Sequence, residues 1–355
     1  MRTLLVERAT RLEETGAGLQ LSPNAGRVLD ALGLGPALDG ASVRPEAIRI
    51  GHGRSGRTLA DIPLGSGAER RYGAPYRVLH RADLQRVLVE AVAREPLIEL
   101  RLGETVVDVT GDSPAVVSES ARGRSEHYAY AVVGADGVRS AIRATTGGRG
   151  LPEPRYIAWR AMADAARAGG AMPATRIWLA PGAHLVAYPV ANREQVNLVL
   201  VTPAPAAGEA PPREAVAAFG GPAADLLGAA ERWTAWPLFD VEPALRFGEG
   251  PITLIGDAAH PVLPFIAQGA ALAIEDAAVL AHHLARGPDP ARAARAYETL
   301  RAPRWRRVAA AAAANGRIYH LSGIAAGLRD AALRAAPPGR LLARYDWLFG
   351  WRPPG

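Results

Sequence analysis

The most informative part of this sequence is Ile255-Gly256-Asp257-Ala258-Ala259-His260-Pro261, continued by Pro264-Phe265-Ile266-Ala267-Gln268-Gly269-Ala270. An apolar strand there ends in Gly-Asp, where a carboxylate can accept hydrogen bonds from the hydroxyl groups of a cofactor. The helix that starts near Gln268 presents backbone N–H groups and the positive end of its dipole. The pattern predicts a site for a planar cofactor that carries negative charge. The alternative is that Asp257 only caps this helix.

Strands and helices alternate outward from this segment. Thr3 to Val6 reads as a short buried strand that ends at Glu7. Ser22-Pro23-Asn24 opens a helix, with serine as the N-cap and proline in the first turn. Arg81 to Glu95 has the apolar periodicity of an amphipathic helix. The chain after Ile255 is almost wholly helical.

The middle third of the chain shows the alternation of β-strands. Arg155 to Leu200 predicts a separate sheet, Ile48 to Pro63 predicts two strands around a glycine-rich turn, and His127 to Val133 predicts one strand. The sequence therefore predicts an α/β fold in four segments. We expect residues 1–150 to form one part of an interrupted α/β domain, 151–245 a β-rich insertion, 246–286 a return to the first domain, and 287–355 a helical region.

Composition excludes several kinds of chemistry. All 41 basic residues are arginine, so a Schiff-base lysine and a phosphate-binding P-loop lysine are both excluded. The absence of cysteine excludes disulfides and thiolate catalysis, and no closely spaced histidine and carboxylate set indicates a metal. The arginines are spread along the chain, which argues against nucleic-acid binding. Without a signal peptide or a long apolar run, we expect a cytoplasmic protein with no membrane span.

Two further segments suit a nucleotide cofactor. Asp136 and Gly137 follow a strand and precede a basic helix start, although alone this is ordinary turn chemistry. Arg81 lies at the start of its predicted helix, and a guanidinium group can pair with two phosphate oxygens at once.

Residue by residue, these segments resemble the FAD-dependent aromatic-ring monooxygenases, such as salicylate hydroxylase and 3-hydroxybenzoate 6-hydroxylase. The resemblance covers essentially the whole chain. It implies a Rossmann-like FAD-binding domain of the glutathione-reductase type, with an inserted β-rich substrate domain and C-terminal helices. It also implies that FAD is bound by Glu7, Arg81, Asp136, Gly137, Gly256, Asp257, Gln268, Gly269 and Ala270.

In that family a first strand, a Gly-x-Gly-x-x-Gly turn and a helix precede a strand that ends in glutamate. Thr3 to Glu7 resembles this second strand, and Thr15 to Asn24 continues the resemblance. We therefore expect that the first βα unit is absent, and that the chain as printed folds marginally and binds flavin weakly. Gly51-His52-Gly53-Arg54-Ser55-Gly56 matches the glycine pattern, but a strand that ends at Pro63 follows it, which indicates a hairpin.

The substrate side is predicted from His184 and Tyr188. Residues four apart on a strand share a face, so both rings can line one pocket. The resemblance implies that His184 takes the phenolic proton of the substrate, that Tyr188 lines the site and that Gln268 lies on the opposite wall. The alternative is that both rings simply fill a sheet face.

The resemblance implies hydroxylation of a small phenolic or aromatic acid by molecular oxygen, through a flavin C4a-hydroperoxide and with NADH or NADPH as reductant. A homodimer is one expected assembly. Two alternatives stay open at this point. One is a flavin oxidase or dehydrogenase on the same fold, and the other is an inactive, flavin-poor remnant.

Overall fold

The computed structural model describes residues 1–12, 17–111, 114–145, 151–167, 172–190, 194–204, 208–239 and 246–354. Thr15 and Gly16, which belong to the stretch that resembles the family, lie outside these residues. The predicted segment boundaries at residues 150 and 245 lie outside them too.

The strands are short in the first half of the chain and longer in the middle. In chain order they are β1 (Thr3–Glu7), β2 (Gly18–Leu21), β3 (Ser42–Val43), β4 (Ala47–His52), β5 (Thr58–Pro63), β6 (Arg77–His80), β7 (Ile98–Leu102), β8 (Glu104–Thr110), β9 (Ala115–Ser120), β10 (Gly123–Tyr128), β11 (Val132–Gly134), β12 (Tyr156–Asp164), β13 (Thr175–Ala180), β14 (Ala183–Val190), β15 (Gln195–Pro203), β16 (Thr234–Leu238), β17 (Gly248–Glu249) and β18 (Ile252–Leu254).

The helices dominate the C-terminal third. In chain order they are α1 (Pro23–Ala31), α2 (Gly35–Ala41), α3 (Ser66–Tyr72), α4 (Arg81–Arg94), α5 (Ala141–Thr145), α6 (Arg213–Ala217), α7 (Pro222–Ala229), α8 (Gly269–Leu284), α9 (Pro290–Tyr319), α10 (Gly323–Ala335), α11 (Pro338–Ala343) and α12 (Asp346–Phe349), and two 3₁₀ turns cover Gly256–Ala258 and Pro264–Ile266.

The largest sheet has seven strands in the order β16-β12-β15-β14-β13-β4-β5. The predicted hairpin between Ile48 and Pro63 is confirmed as β4 and β5. The prediction of a separate sheet in the middle third is wrong, because β4 pairs in parallel with β13 and brings its hairpin into the same sheet. Glycine makes this approach close: the Gly53 N–H donates to the Leu179 carbonyl at 2.7 Å, and a Cβ on Gly53 would lie 2.8 Å from that oxygen.

The other sheets are small. The predicted strand at Thr3 to Val6 is confirmed as β1, which pairs in parallel with β7, while β11 pairs in parallel with β18. Among the described residues these pairs belong to two separate sheets. The prediction of one strand from His127 to Val133 is also wrong. Tyr128 ends β10 opposite Ala115, whereas Val132 starts β11 beside a different partner strand.

The helical predictions are confirmed for α1, α4 and the helices after β18. Ser22 is the N-cap of α1 as predicted, but its side chain makes no capping hydrogen bond. Its hydroxyl instead donates to the side-chain oxygen of Asn24 at 2.6 Å. This part of α1 is completely buried, so its polar groups bond to other buried side chains and not to water.

The large sheet separates two apolar cores. Leu185 and Ala187 of β14 pack on one face, against the core that contains α7. Tyr188 and Val190 pack on the other face, among residues of α9, α11 and α12. This second face is turned towards the helices that follow β18, and the candidate site lies there.

Candidate cofactor and substrate site

The turn after β18 depends on glycine at position 256. Gly256 has a φ of +57°, and a Cβ there would meet the Cβ of Ala273 at 3.0 Å. Its N–H donates to the Asp276 carboxylate of α8 at 2.9 Å. The turn is thereby fixed against α8, and Asp257, the next residue, is left exposed at the end of the strand.

Asp257 lies close to the start of α8. A Cβ built on Gly269, the first residue of α8, would lie 4.0 Å from the Asp257 carboxylate, and no other atom comes that close. Gly269 and Ala270 are both half-buried, so the first turn of this 16-residue helix is within reach of a ligand. Ala267, just before it, has a φ of +51°, a conformation rare for alanine that is often found at functional sites.

Charged groups from three separate segments act on Asp257. The surrounding protein atoms partly desolvate its carboxyl group and raise its pKa, although the residue remains exposed to solvent, and the charges of His260, Arg81 and Arg143 oppose that rise. The Arg143 guanidinium, which is partly desolvated, interacts electrostatically with both the Asp136 and the Asp257 carboxylates. The predicted residues Arg81, Asp136 and Asp257 are therefore brought into one electrostatic neighbourhood. Arg143 was not predicted, although it lies in the same motif as Asp136.

Asp136 and Gly137 also have a local structural role. The Asp136 carboxylate accepts hydrogen bonds from the N–H groups of Ala141 at 2.8 Å and Ile142 at 3.3 Å. It therefore caps the start of α5, and Gly137 turns the chain there with a φ of +78°. These contacts match the alternative of ordinary turn chemistry, and a contact with cofactor stays a prediction.

Glu7 and Arg81 lie at the ends of their predicted elements. Glu7 ends β1, and its carboxylate accepts a hydrogen bond from the Ala9 N–H at 2.8 Å. Arg81 starts α4, and its N–H donates to the Ala17 carbonyl at 2.9 Å. The Glu7 role towards adenosine stays a prediction, whereas Arg81 lies within electrostatic range of Asp257.

His184 and Tyr188 share one face of β14, as their spacing predicts. Both are buried, with 2% and 3% of their surface exposed. The His184 ring lies 5.3 Å from the Phe265 ring and 5.2 Å from the Tyr319 ring, measured between centroids. Burial, assisted by His320, holds the pKa of His184 well below its ordinary value, so the imidazole is neutral at pH 7.

Four tyrosines surround this region: Tyr76, Tyr188 and Tyr319 are buried, and Tyr345 is half-buried. Burial raises the pKa of Tyr76, with Tyr188 and Tyr345 adding to the effect, and burial likewise raises the pKa of Tyr319, with Tyr345 and Tyr76 adding. The four phenols are thus neutral hydrogen-bond donors near neutral pH. Tyr76, Tyr319 and Tyr345 were not predicted as site residues, because they come from separate elements and no spacing in the sequence connects them.

Gln268 does not have the contacts predicted for a residue of the substrate wall. Its side chain is completely buried, and its amide nitrogen donates to the Ser22 hydroxyl at 3.0 Å. Its amide oxygen accepts a hydrogen bond from Asn24 at 3.0 Å. These bonds anchor the start of α8 to α1, and the predicted roles of Gln268 towards the substrate and the cofactor stay predictions.

The chain is similar to known aromatic monooxygenases over nearly its whole length. Residues 1–312 match the FAD binding domain family. The chain is 39% identical to 3-amino-4-hydroxybenzoate 2-monooxygenase from Streptomyces platensis, over 97% of this chain and 89% of that protein. It is 32% identical to 3-hydroxybenzoate 6-hydroxylase from Klebsiella oxytoca, over 99% of this chain and 91% of that protein. The structure of HpxO from Klebsiella pneumoniae, complexed with FAD and uric acid, has a TM-score of 0.83 at 22% identity, over 97% of this chain and 95% of that one.

The fold and the family match define an FAD-binding α/β protein. The chain belongs to the FAD-dependent aromatic hydroxylases. The predicted family and enzyme class are thereby confirmed. Among the helices of the described residues, none has both the length and the apolar character needed to cross a membrane.

Proposed function

We propose that this chain hydroxylates a small aromatic acid that carries a ring hydroxyl group, with FAD, NADH or NADPH, and molecular oxygen. His184 takes the phenolic proton, and Tyr188 lines the same pocket. The observation that carries the proposal is the buried, neutral imidazole of His184 on the sheet face, between the rings of Phe265 and Tyr319. In this proposal the substrate side is formed by residues 151–245 together with β4 and β5.

The surroundings of His184 suit an aromatic anion. Aromatic rings can stack or meet edge-on with a benzoate ring, and neutral phenols can donate hydrogen bonds to its oxygens. The charge of Arg160 acts on Tyr188, and the charge of Arg344 acts on Tyr319 and Tyr345. Two cations around a set of phenols attract a carboxylate.

The residues around Asp257 fit the flavin part of FAD. Asp257 would accept hydrogen bonds from ribityl hydroxyl groups, Arg81 would pair with phosphate, and the first turn of α8 at Gly269 and Ala270 would stabilise negative charge. The bound flavin supplies the oxygen chemistry. The protein orients the ring, excludes water and removes the phenolic proton, which raises the electron density of the substrate ring.

The test is the variant His184→Ala. Hydroxylation should slow by about a hundredfold or more, because a positioned base is lost, while reduction of the flavin by NADH or NADPH should change little. Stopped-flow spectroscopy measures the two half-reactions separately, with 3-hydroxybenzoate and 3-amino-4-hydroxybenzoate as substrates. His282→Ala, on α8, is the matched control. Equal slowing of both half-reactions, or of neither, would contradict the role of His184.

Two further readouts define the reaction. Because burial lowers the pKa of His184, the base stays unprotonated, and the hydroxylation step should keep its rate as the pH falls from about 8 to about 6. Labelled ¹⁸O₂ should place one heavy oxygen atom in the product. Consumption of oxygen without this incorporation would identify an oxidase.

A further inference from the structure

His184 is directly hydrogen-bonded to a second histidine that lies 136 residues further along the chain. The Nδ1 atom of His184 and the Nε2 atom of His320 are 2.8 Å apart. His184 is buried, whereas His320 is half-buried at the C-terminal end of α9. The pair therefore connects the interior of the sheet face with a position that water reaches.

A buried base needs a path through which the proton taken from the substrate can reach solvent. The rings of Phe265 and Tyr319 pack on His184, so a path through the ring faces is closed on these sides. His320 contacts a ring nitrogen of His184, and an imidazole can accept a proton on one nitrogen while it releases another from the second.

The groups around His320 favour the neutral form of its ring. Its ring lies 5.4 Å from the Tyr156 ring and 5.9 Å from the Phe265 ring. Arg329 of α10 forms an ion pair with Asp330. It also donates to the carbonyl groups of Ile318 and Tyr319, the two residues that precede His320. Burial lowers the pKa of His320 to about 4, so both imidazoles are neutral at pH 7.

We propose that His320 relays the proton between His184 and solvent. The proposal rests on the proposed function of His184 as the base. The phenolic proton moves to Nε2 of His184, the proton on Nδ1 of His184 moves to Nε2 of His320, and the proton on Nδ1 of His320 passes to water. Each imidazole gains one proton and loses one, so neither keeps a charge. The reverse sequence protonates the product phenolate and restores both tautomers.

The first test is the variant His320→Gln in the full chain loaded with FAD. Glutamine can still hydrogen-bond to His184 but cannot pass a proton on. Mixing the enzyme with 3-hydroxybenzoate in weak buffer with a pH-indicator dye measures proton release directly, without oxygen or reductant. We expect release to slow by at least about tenfold, while the Kd of the substrate and the rate of flavin reduction stay within about twofold. His282→Gln is the matched control.

The second test is chemical rescue. His320→Ala opens a gap near the surface, and added imidazole should restore proton release in this variant but not in His184→Gln. A role that is only structural would not respond to imidazole. Native rates in His320→Gln, or a loss in His320→Ala that imidazole leaves unchanged, would overturn the relay. Normal hydroxylation in His184→Ala would instead overturn the proposed function itself, so the two failures are distinguishable.

Discussion

At the scale of single residues, Asp257 gives the sharpest test of the cofactor site. Replacing it with alanine removes a charged acceptor next to the start of α8. Hydrogen bonds to charged groups contribute about 1.5 to 3 kcal/mol, so FAD should bind about ten- to a hundredfold more weakly to Asp257→Ala. Fluorescence titration of the flavin-free protein measures the Kd.

The control for this prediction is Asp225→Ala, which removes an exposed carboxylate from the first turn of α7. Its FAD affinity should equal that of the native protein. If Asp257→Ala also keeps the native affinity, Asp257 does not contact the cofactor, and its exposed position after β18 has another explanation.

At the scale of elements, α9 and the 3₁₀ turn at Pro264–Ile266 approach each other closely at Gly316. A Cβ on Gly316 would lie 2.5 Å from the Phe265 ring, which also packs on His184. We expect Gly316→Ala to lower the free energy of unfolding by about 1 to 3 kcal/mol, because a methyl group overpacks this contact. Urea denaturation measures the change, and displacement of Phe265 should also slow hydroxylation.

Gly327 of α10 offers a matched control, since no atom lies within 4 Å of a Cβ placed there. Gly327→Ala should raise the free energy of unfolding by about 0.5 to 1 kcal/mol, because alanine favours the helix over the unfolded chain. Equal effects of the two substitutions would mean that the close approach of α9 to Phe265 does not limit packing.

At the scale of the whole molecule, a buried set of charges joins the turn after β18 to α1, α8 and α9. Arg301 of α9 donates to Asp276 at 2.6 Å and to Glu275 at 2.7 Å, and all three side chains are at most 1% exposed. Asn24 of α1 donates to Glu275 at 2.6 Å. Nε2 of His260 lies 2.6 Å from an oxygen of Asp276. The turn after β18 and the hydrogen bond between Asn24 and Gln268 thus share one network.

Arg301→Leu should therefore destabilise the whole protein. It leaves two carboxylates buried without their shared cation, and breaking a buried ion pair in this way costs about 3 to 5 kcal/mol. Urea denaturation measures the loss. Arg167→Leu is the control, because the Arg167–Glu231 pair is exposed and such pairs contribute about 0 to 1 kcal/mol. Similar losses in both variants would show that burial of the network does not govern its contribution.

The network also makes the free energy of unfolding depend on pH. Burial favours a raised pKa for Asp276, but His260, Arg301 and the Gly256 N–H outweigh it and hold the pKa below its ordinary value. A carboxyl group with a lowered pKa contributes stability that is fully present above its unfolded pKa of about 3.9 and is lost as the pH falls further. The native protein is expected to lose this contribution only in acid, below about pH 4.

The sequence alone predicted what depends on neighbouring residues. The Gly256-Asp257 turn, the helix that starts at Gly269 and the shared face of His184 and Tyr188 follow from local periodicity and local hydrogen bonding. These are properties of a few consecutive residues, so they can be read without knowledge of the rest of the fold. The family resemblance rested on the same segments.

Only the tertiary structure decided which distant groups meet. It placed the β4–β5 hairpin beside β13, turned Gln268 towards Ser22 and Asn24, and brought His320 to His184. No local pattern encodes these contacts, since the partners are separated by more than a hundred residues of chain. They form because the apolar faces of the sheet and helices must be buried together, and buried polar groups must then find partners with each other.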